Sequence, residues 1–252
     1  MRPTVKDVAR LANVSTATVS NVLTNKKYVS EELKEKIREA MVVLGYEPNI
    51  TARSLKVNKT FKIGVVVPDI TNPFFSEIVK YIERTISKSE YQLVLYNSDD
   101  KPDKELKIFE SLLAGIVDGL ILVAPRMNES LMDREYKIPV VILDRPAFDT
   151  DSNITFIYAD NLKGAELIAD LFIKKGYRKF ICITGPEDVP NANNRLIGFR
   201  KALLNHGINP DSIEEYRTEF DFDDCYEMMA GLLRNYDPAE KKGVFVCSDI
   251  GA

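Results

Sequence analysis

Four side chains near the start of the chain have the size and spacing to read a base edge. Thr16, Ala17, Ser20 and Asn21 recur at i, i+1, i+4 and i+5, which is one face of a helix. They are small or short and polar, and they sit near the N-terminus of that helix. A helix entering a DNA major groove needs such side chains, because bulk would hold it away from the bases. A second group has the chemistry of a small-molecule site. It comprises the stretch Pro68 to Phe75, the pair Asp144-Arg145, the stretch Pro186 to Arg195, then Phe220, and Ser248-Asp249. Aromatic faces stack on the apolar side of a sugar or base, and Asp and Arg hydrogen-bond vicinal hydroxyls, Arg as a fork. Arg195 carries the most weight, since a charged fork amid small polar residues needs a partner and a bound effector would supply one.

Catalytic readings find little support. The chain has no P-loop, no G-x-G-x-x-G and no G-x-S-x-G. His206, at a helix end between Asn205 and Gly207, reads as capping rather than catalysis. Cys182, Cys225 and Cys247 are far apart and in no metal or redox spacing, so they read as buried reduced thiols. No enzyme activity, metal or cofactor is expected.

The elements that position the first group are a helix pair. Val5, Val8, Ala9 and Ala12 line one face of a first helix. Asn13 suits the left-handed backbone of a tight turn. Ser15 caps the second helix, and Val19, Val22 and Leu23 face back onto the first. Lys26-Lys27-Tyr28 form a basic loop suited to phosphates. Ser30 caps a third helix with Glu31 and Glu32 in its first turn; its core face is Leu33, Ile37, Ala40, Met41 and Leu44, and Gly45 ends it. Residues 47–60 hold a helical stretch over about Ile50 to Lys56, too short to persist alone in water.

From Phe61 the periodicity changes. FKIGVVVP reads as a strand buried on both faces, and Asn72-Pro73 opens a helix with Ile78, Ile82 and Ile86 on one side. YQLVLYNS, DGLILVAP, IPVVILD and ITFIYADN are further strands, with helices at Pro102 to Gly115 and around Glu129 to Tyr136. The alternation continues with helix 161–175, strand KFICITG, helix 193–206, a strand near 213–218, helix 223–235 and strand GVFVCSD. Such alternation means doubly wound parallel sheets. Two sets, before and after Asp160, predict two subdomains with a cleft between them, and ligands in such sheets bind beyond the C-terminal strand ends.

Charge is divided along the chain. Residues 1–62 carry 12 Lys+Arg and 6 Asp+Glu, while the rest carries 22 and 32, for a net −4 overall. A basic head on an acidic body is the pattern of a nucleic-acid-binding module fused to a soluble domain. At 45% hydrophobic over 252 residues the chain buries a real core. No run approaches the ~18 apolar residues of a membrane span, and Met1-Arg2-Pro3 leads straight into a polar helix, so a cytoplasmic protein is expected.

D-V-A-x-x-A-x-V-S-x-x-T-V-S-x-V-L over residues 7–23 resembles the signature of the lactose-repressor (LacI/GalR) family of bacterial transcription regulators. The resemblance continues in VSEELKEKI, LGYEPN and ARSLK and through the body; the family usually has Gly where Asn13 stands. It implies a helix-turn-helix headpiece (1–47), a hinge (48–60), and a periplasmic-binding-protein-like α/β core of two subdomains (61–160 and 161–252, the second incomplete). It implies DNA contacts from Ser15, Thr16, Ala17, Thr18, Ser20, Asn21, Asn25, Lys26 and Tyr28. In the hinge, Leu55 matches a wedge that enters the minor groove, flanked by Arg53 and Lys56. Effector contacts match Phe74, Phe75, Asp144, Arg145, Asn191, Arg195, Phe220 and Asp249. The expected function is a repressor, dimeric on a palindromic operator and modulated by a small molecule, a sugar or sugar derivative.

Relatives resemble this sequence to Asp249 and then run on, so a truncated product or fragment is expected. A DNA-binding fragment without effector response is one alternative reading. A solute-binding protein or carbohydrate enzyme of the same architecture is another, disfavoured by the basic helix pair.

Overall fold

The computed structural model describes residues 3–24, 27–47, 57–126, 135–144, 153–234, 236–237 and 240–252. It divides into two compact units, Met1–Thr60 and Phe61–Ala252.

The first unit holds α1 (Val5–Leu11), α2 (Thr16–Thr24) and α3 (Glu31–Leu44). Their apolar faces meet in a core of Val8, Ala9, Val19, Ile37 and Ala40, flanked by Val22, Leu23, Met41 and Leu44. Asn13 adopts φ 52°, as the turn requires. Ser15 Oγ accepts from the Thr18 N–H at 3.0 Å, capping α2. The start of α1 carries a device the sequence reading missed: the Asp7 carboxylate accepts from both the N–H and the hydroxyl of Thr4 (2.9 and 2.7 Å). Ser30 occupies the cap position of α3, but its side chain makes no capping hydrogen bond. Acids in the first turn satisfy the helix dipole there instead, Glu31 and Glu32 also pairing with Lys34 and Lys36 at 2.6 and 2.8 Å. Gly45, at φ 59°, ends α3.

The second unit contains two parallel sheets. The first has the order β2-β1-β3-β4-β5, formed by β1 (Lys62–Val67), β2 (Gln92–Asn97), β3 (Gly119–Val123), β4 (Val140–Leu143) and β5 (Ile154–Ile157). Alternation along β1 sorts its valines. Val66 points to one core with Phe109 and Leu112 of α5 (Pro102–Leu113). Val65 and Val67 point to the other, where Phe75, Ile78 and Ile82 of α4 (Pro73–Ile86) pack. Burial on both faces is why this strand is a continuous apolar run. Asn72 opens α4 as the sequence indicated, its side chain accepting from the Phe74 N–H at 3.0 Å. The helix expected around Glu129 to Tyr136 falls largely outside the described residues.

The second sheet has the order β7-β6-β8, formed by β6 (Lys179–Thr184), β7 (Ile213–Arg217) and β8 (Lys242–Val246). Phe180 and Cys182 face a core built with α6 (Asn161–Lys174) and α7 (Pro190–Asn205). Ile181 and Ile183 face Cys225 and Met228 of α8 (Phe222–Arg234). α7 begins at Pro190, three residues before the expected start, because proline fits the first helical turn. All three cysteines are buried and free.

α6 and α7 approach closely enough at one point to exclude any side chain. A Cβ on Gly198 would lie 2.2 Å from the Leu162 carbonyl oxygen. Gly198→Ala must therefore push the helices apart, and urea unfolding should show a loss of about 1–3 kcal/mol; an unchanged midpoint would contradict this packing.

Candidate functional site

Each unit presents a candidate site. In the first, Thr16 and Ala17 are exposed on α2, and Thr18, Ser20 and Asn21 are half-buried beside them. Ser15 Oγ and Thr18 Oγ1 are 2.8 Å apart, so these two hydroxyls hold each other and the cap. The face expected to meet a ligand, Thr16, Ala17, Ser20 and Asn21, thus runs from exposed at Thr16 and Ala17 to half-buried at Ser20 and Asn21. Tyr28 is 91% exposed. Asn25, Lys26, Arg53, Leu55 and Lys56, together with the expected hinge helix, lie outside the described residues.

In the second unit, parallel strands carry their C-terminal ends to common edges, and the loops there enclose a cleft of about 1090 Å³. Seven of the expected effector residues line it: Phe74, Phe75, Asp144, Asn191, Arg195, Phe220 and Asp249. Arg145 lies outside the described residues. The backbone is unusual where these loops leave the strands. Asp99, Asp100, Ala124, Asp144 and Phe220 all have φ between 48° and 60°. Non-glycine residues adopt that region at a cost, and such positions gather at functional sites.

Phe74 is 45% exposed, with its ring 5.2 Å from that of Phe75 in an edge-on arrangement. Phe75 also packs against the apolar side of the first sheet, so it serves the core as well as the cleft wall. The Asp144 N–H donates to the Ile157 carbonyl at 2.9 Å, which ties the end of β4 to the end of β5. The Asp144 carbonyl accepts from Asn191 Nδ2 at 2.8 Å, joining the loop after β4 to α7. Asn191 is 5% exposed, and its Oδ1 has no hydrogen-bond partner among the described residues.

Arg195 differs from expectation in having protein partners. Its Nε donates to Asn161 Oδ1 at 2.7 Å, and its Nη1 to the Cys247 carbonyl. Both acceptors are neutral, so they fix the orientation of the guanidinium without neutralising it. Asn161 was missed in the sequence. The rule that pointed to the other loops, taking residues just past each strand, reaches Asp160-Asn161 after β5 as well. Asp160 caps α6 by accepting from the Lys163 N–H at 2.9 Å.

Arg126 was also missed. It follows β3 and pairs with Asp100 at 2.8 Å and with Asp188, which lies in the loop between β6 and α7. Burial works against the Arg126 charge, but hydrogen bonds to the two carboxylates outweigh it and hold the pKa above the ordinary value. The Arg126 backbone N–H donates to both oxygens of buried Glu105 (3.1 and 3.2 Å), anchoring this bridge. All three thiols are buried; contact with Cys247 and burial push Cys182 far above the usual thiol range, while the hydrogen bond with Cys182 holds Cys247 below its ordinary value. Among the described residues no group of His, Cys, Asp and Glu is arranged to hold a metal. His206 stands at the end of α7 with its Nε2 2.8 Å from Asp170 Oδ1, away from the cleft-lining residues.

Residues 60–247 match the family of periplasmic binding proteins and the sugar binding domain of the LacI family. Residues 4–49 match the bacterial regulatory proteins of the lacI family. The chain is 37% identical over 249 residues to the ribose operon repressor of Escherichia coli (strain K12), across 98% of this chain and 74% of that protein. Among solved structures, the Lac repressor bound to ONPG in the repressed state is 25% identical, with a TM-score of 0.76, over 93% of this chain and 71% of that one. A periplasmic binding protein/LacI transcriptional regulator from Alkaliphilus metalliredigens QYMF, complexed with D-xylulofuranose, is 30% identical with a TM-score of 0.61, over 73% and 66% of the two chains.

The hold on Arg195 can be measured directly. Asn161→Ala leaves the Nε–H without its acceptor and should lower stability by about 1–2 kcal/mol in urea unfolding. Asn161→Asp keeps an acceptor and should lose less; equal losses would mean the contact is not made.

Proposed function

The chain belongs to the LacI family of bacterial regulatory proteins and is a DNA-binding transcriptional repressor with a small-molecule effector domain; from that premise we propose how its residues divide the work. The headpiece, residues 1–47, reads one half of a palindromic operator. Thr16, Ala17, Ser20 and Asn21 face the bases, with Ser15 and Thr18 holding the helix start. Asn25, Lys26 and Tyr28 serve the backbone of the duplex. The segment 48–60 acts as the hinge, with Leu55 entering the minor groove and Arg53 and Lys56 beside it. Residues 61–160 and 161–252 form the two halves of the effector core and provide the dimer contacts.

The observation that carries the effector assignment is the convergence of seven separately placed side chains on one cleft. Phe74, Phe75 and Phe220 offer apolar faces to a sugar ring. Asp144, Arg145, Asn191, Arg195 and Asp249 offer hydrogen bonds to its hydroxyls. A relative bound to D-xylulofuranose supports a sugar as the ligand class. An effector that prefers one cleft geometry shifts hinge pairing, and so operator affinity, by its differential affinity for the two states. The protein works in the cytoplasm, where the operator is, and performs no catalysis. No described helix is long and apolar enough to cross a membrane.

Selection from a random duplex library at fixed salt, using the 252-residue chain, should enrich a two-fold palindrome. Absence of enrichment would count against the repressor working as this chain. Leu55→Ala should then weaken operator binding by on the order of tenfold or more, through loss of the wedge. Arg195→Ala should leave operator affinity in place and remove the response to sugar; a retained response would take Arg195 out of the effector site.

A further inference from the structure

We infer that the cleft takes a neutral polyhydroxylated ligand, a free sugar with one hydroxyl donating to Asn191 Oδ1, and excludes the phosphate esters of the same sugars. The inference rests on the reading of this cleft as the effector site, and it narrows the class of ligand.

Four observations carry it. The first is the buried amide of Asn191. Its Nδ2 is committed to the Asp144 carbonyl at 2.8 Å, which fixes which end of the amide is the acceptor. The Oδ1 left over is buried and has no partner among the described residues. Such an oxygen needs a donor. A sugar hydroxyl donates, whereas a phosphate dianion presents only acceptors, so an ester could meet this oxygen only through one of its remaining hydroxyls and must place its phosphate elsewhere in the cleft.

The second is the state of Arg195. Its Nε is already held by Asn161, so the side-on fork of Nε with Nη2, which would clasp an oxyanion, is closed. Both N–H groups of Nη2 and one of Nη1 remain to meet hydroxyl oxygens.

The third is the set of helix N-termini around the cleft. These are the usual donors to a bound phosphate. Here the chain fills three of them with its own oxygens: Asn72 on the Phe74 N–H (3.0 Å), Asp160 on Lys163 (2.9 Å) and Asp221 on Asp224 (2.8 Å), while the start of α7 at Val189 has no side-chain cap. Two of those oxygens belong to carboxylates, which a phosphate would have to displace or sit beside.

The fourth is charge. Nine of the described lining residues are Asp or Glu and one, Arg195, is basic. Asp99 and Asp100 are ion-paired, to Lys104 and Arg126. Adding Arg145, next to Asp144 but outside the described residues, leaves the sign of the cleft unchanged. Low-dielectric walls focus such a field and repel an anion along the whole approach.

The test is calorimetric titration of the full chain with matched pairs: D-ribose and ribose 5-phosphate, D-xylulose and xylulose 5-phosphate, D-fructose and fructose 1-phosphate, D-glucose and glucose 6-phosphate. The expected result is that any sugar that binds does so on the order of 100-fold more tightly than its ester. An ester binding as tightly as its sugar, or more tightly, overturns the inference while leaving the cleft as a sugar site. If no member of any pair binds, the sugar reading itself falls and this inference with it. The two failures are therefore distinct. Asp69→Asn with Glu219→Gln removes two charges from the cleft wall without touching the expected contact residues. It should narrow the gap between a sugar and its ester by about threefold to tenfold, since only the charged ligand feels the change. A gap that does not move would refute the electrostatic part of the inference. Asn191→Leu should weaken the free sugar by about tenfold or more, and unchanged affinity would refute the assigned hydroxyl donor.

Discussion

The parallel direction of the strands is the constraint on which the effector core depends. Every described strand pairs in parallel with its neighbours, so each sheet delivers all its C-terminal ends to one edge. A loop leaving such an edge must turn at once toward a helix on one face or the other. The left-handed residues at the ends of β2, β3, β4 and β7 are those turns. Asp and Asn tolerate this geometry well, and their side chains then stand beside the cleft. The acidity of the cleft thus follows partly from the backbone: a residue type chosen for the turn also sets the local field.

Much of this was legible in the sequence because periodicity and punctuation are local. The run KIGVVV announced burial on both faces, and Val65 to Val67 divide between two cores accordingly. Asn13 was readable from the needs of a tight turn, and Asn72-Pro73 from those of a helix start. What could not be read were partnerships between residues far apart in the chain. Arg195 with Asn161, Arg126 with Asp188, and Asn191 with the Asp144 carbonyl are separated by dozens of residues and carry no periodic signal. Ser30 shows the converse limit. Its type and position suggested a side-chain cap, yet the acids that follow it satisfy the same end of the helix.

The headpiece and the core use hydroxyls and amides in different ways. At the start of α2, Ser15 and Thr18 bond their oxygens to each other, beside the exposed small side chains of Thr16 and Ala17. Low relief is what a groove-reading helix needs. In the cleft the polar groups are instead held at fixed angles by partners from the protein itself. Arg195 is oriented by one amide and one carbonyl, and Asn191 by one carbonyl. Pre-set groups of this kind lose little freedom when a ligand arrives.

Arg126 reaches from the loop after β3 to Asp188 in the loop after β6 while also holding Asp100 on its own side. Its two partners differ in what separation of the sheets does to them. Parting the halves of the core breaks the contact with Asp188, which is well exposed and regains water. The guanidinium, largely covered, keeps Asp100 and is never left as a buried charge alone. Such a contact behaves as a clasp with one permanent jaw. It adds about the worth of a surface ion pair, up to ~1 kcal/mol, to the arrangement in which both carboxylates are held. That is a small enough bias for a modest ligand to overrule in either direction.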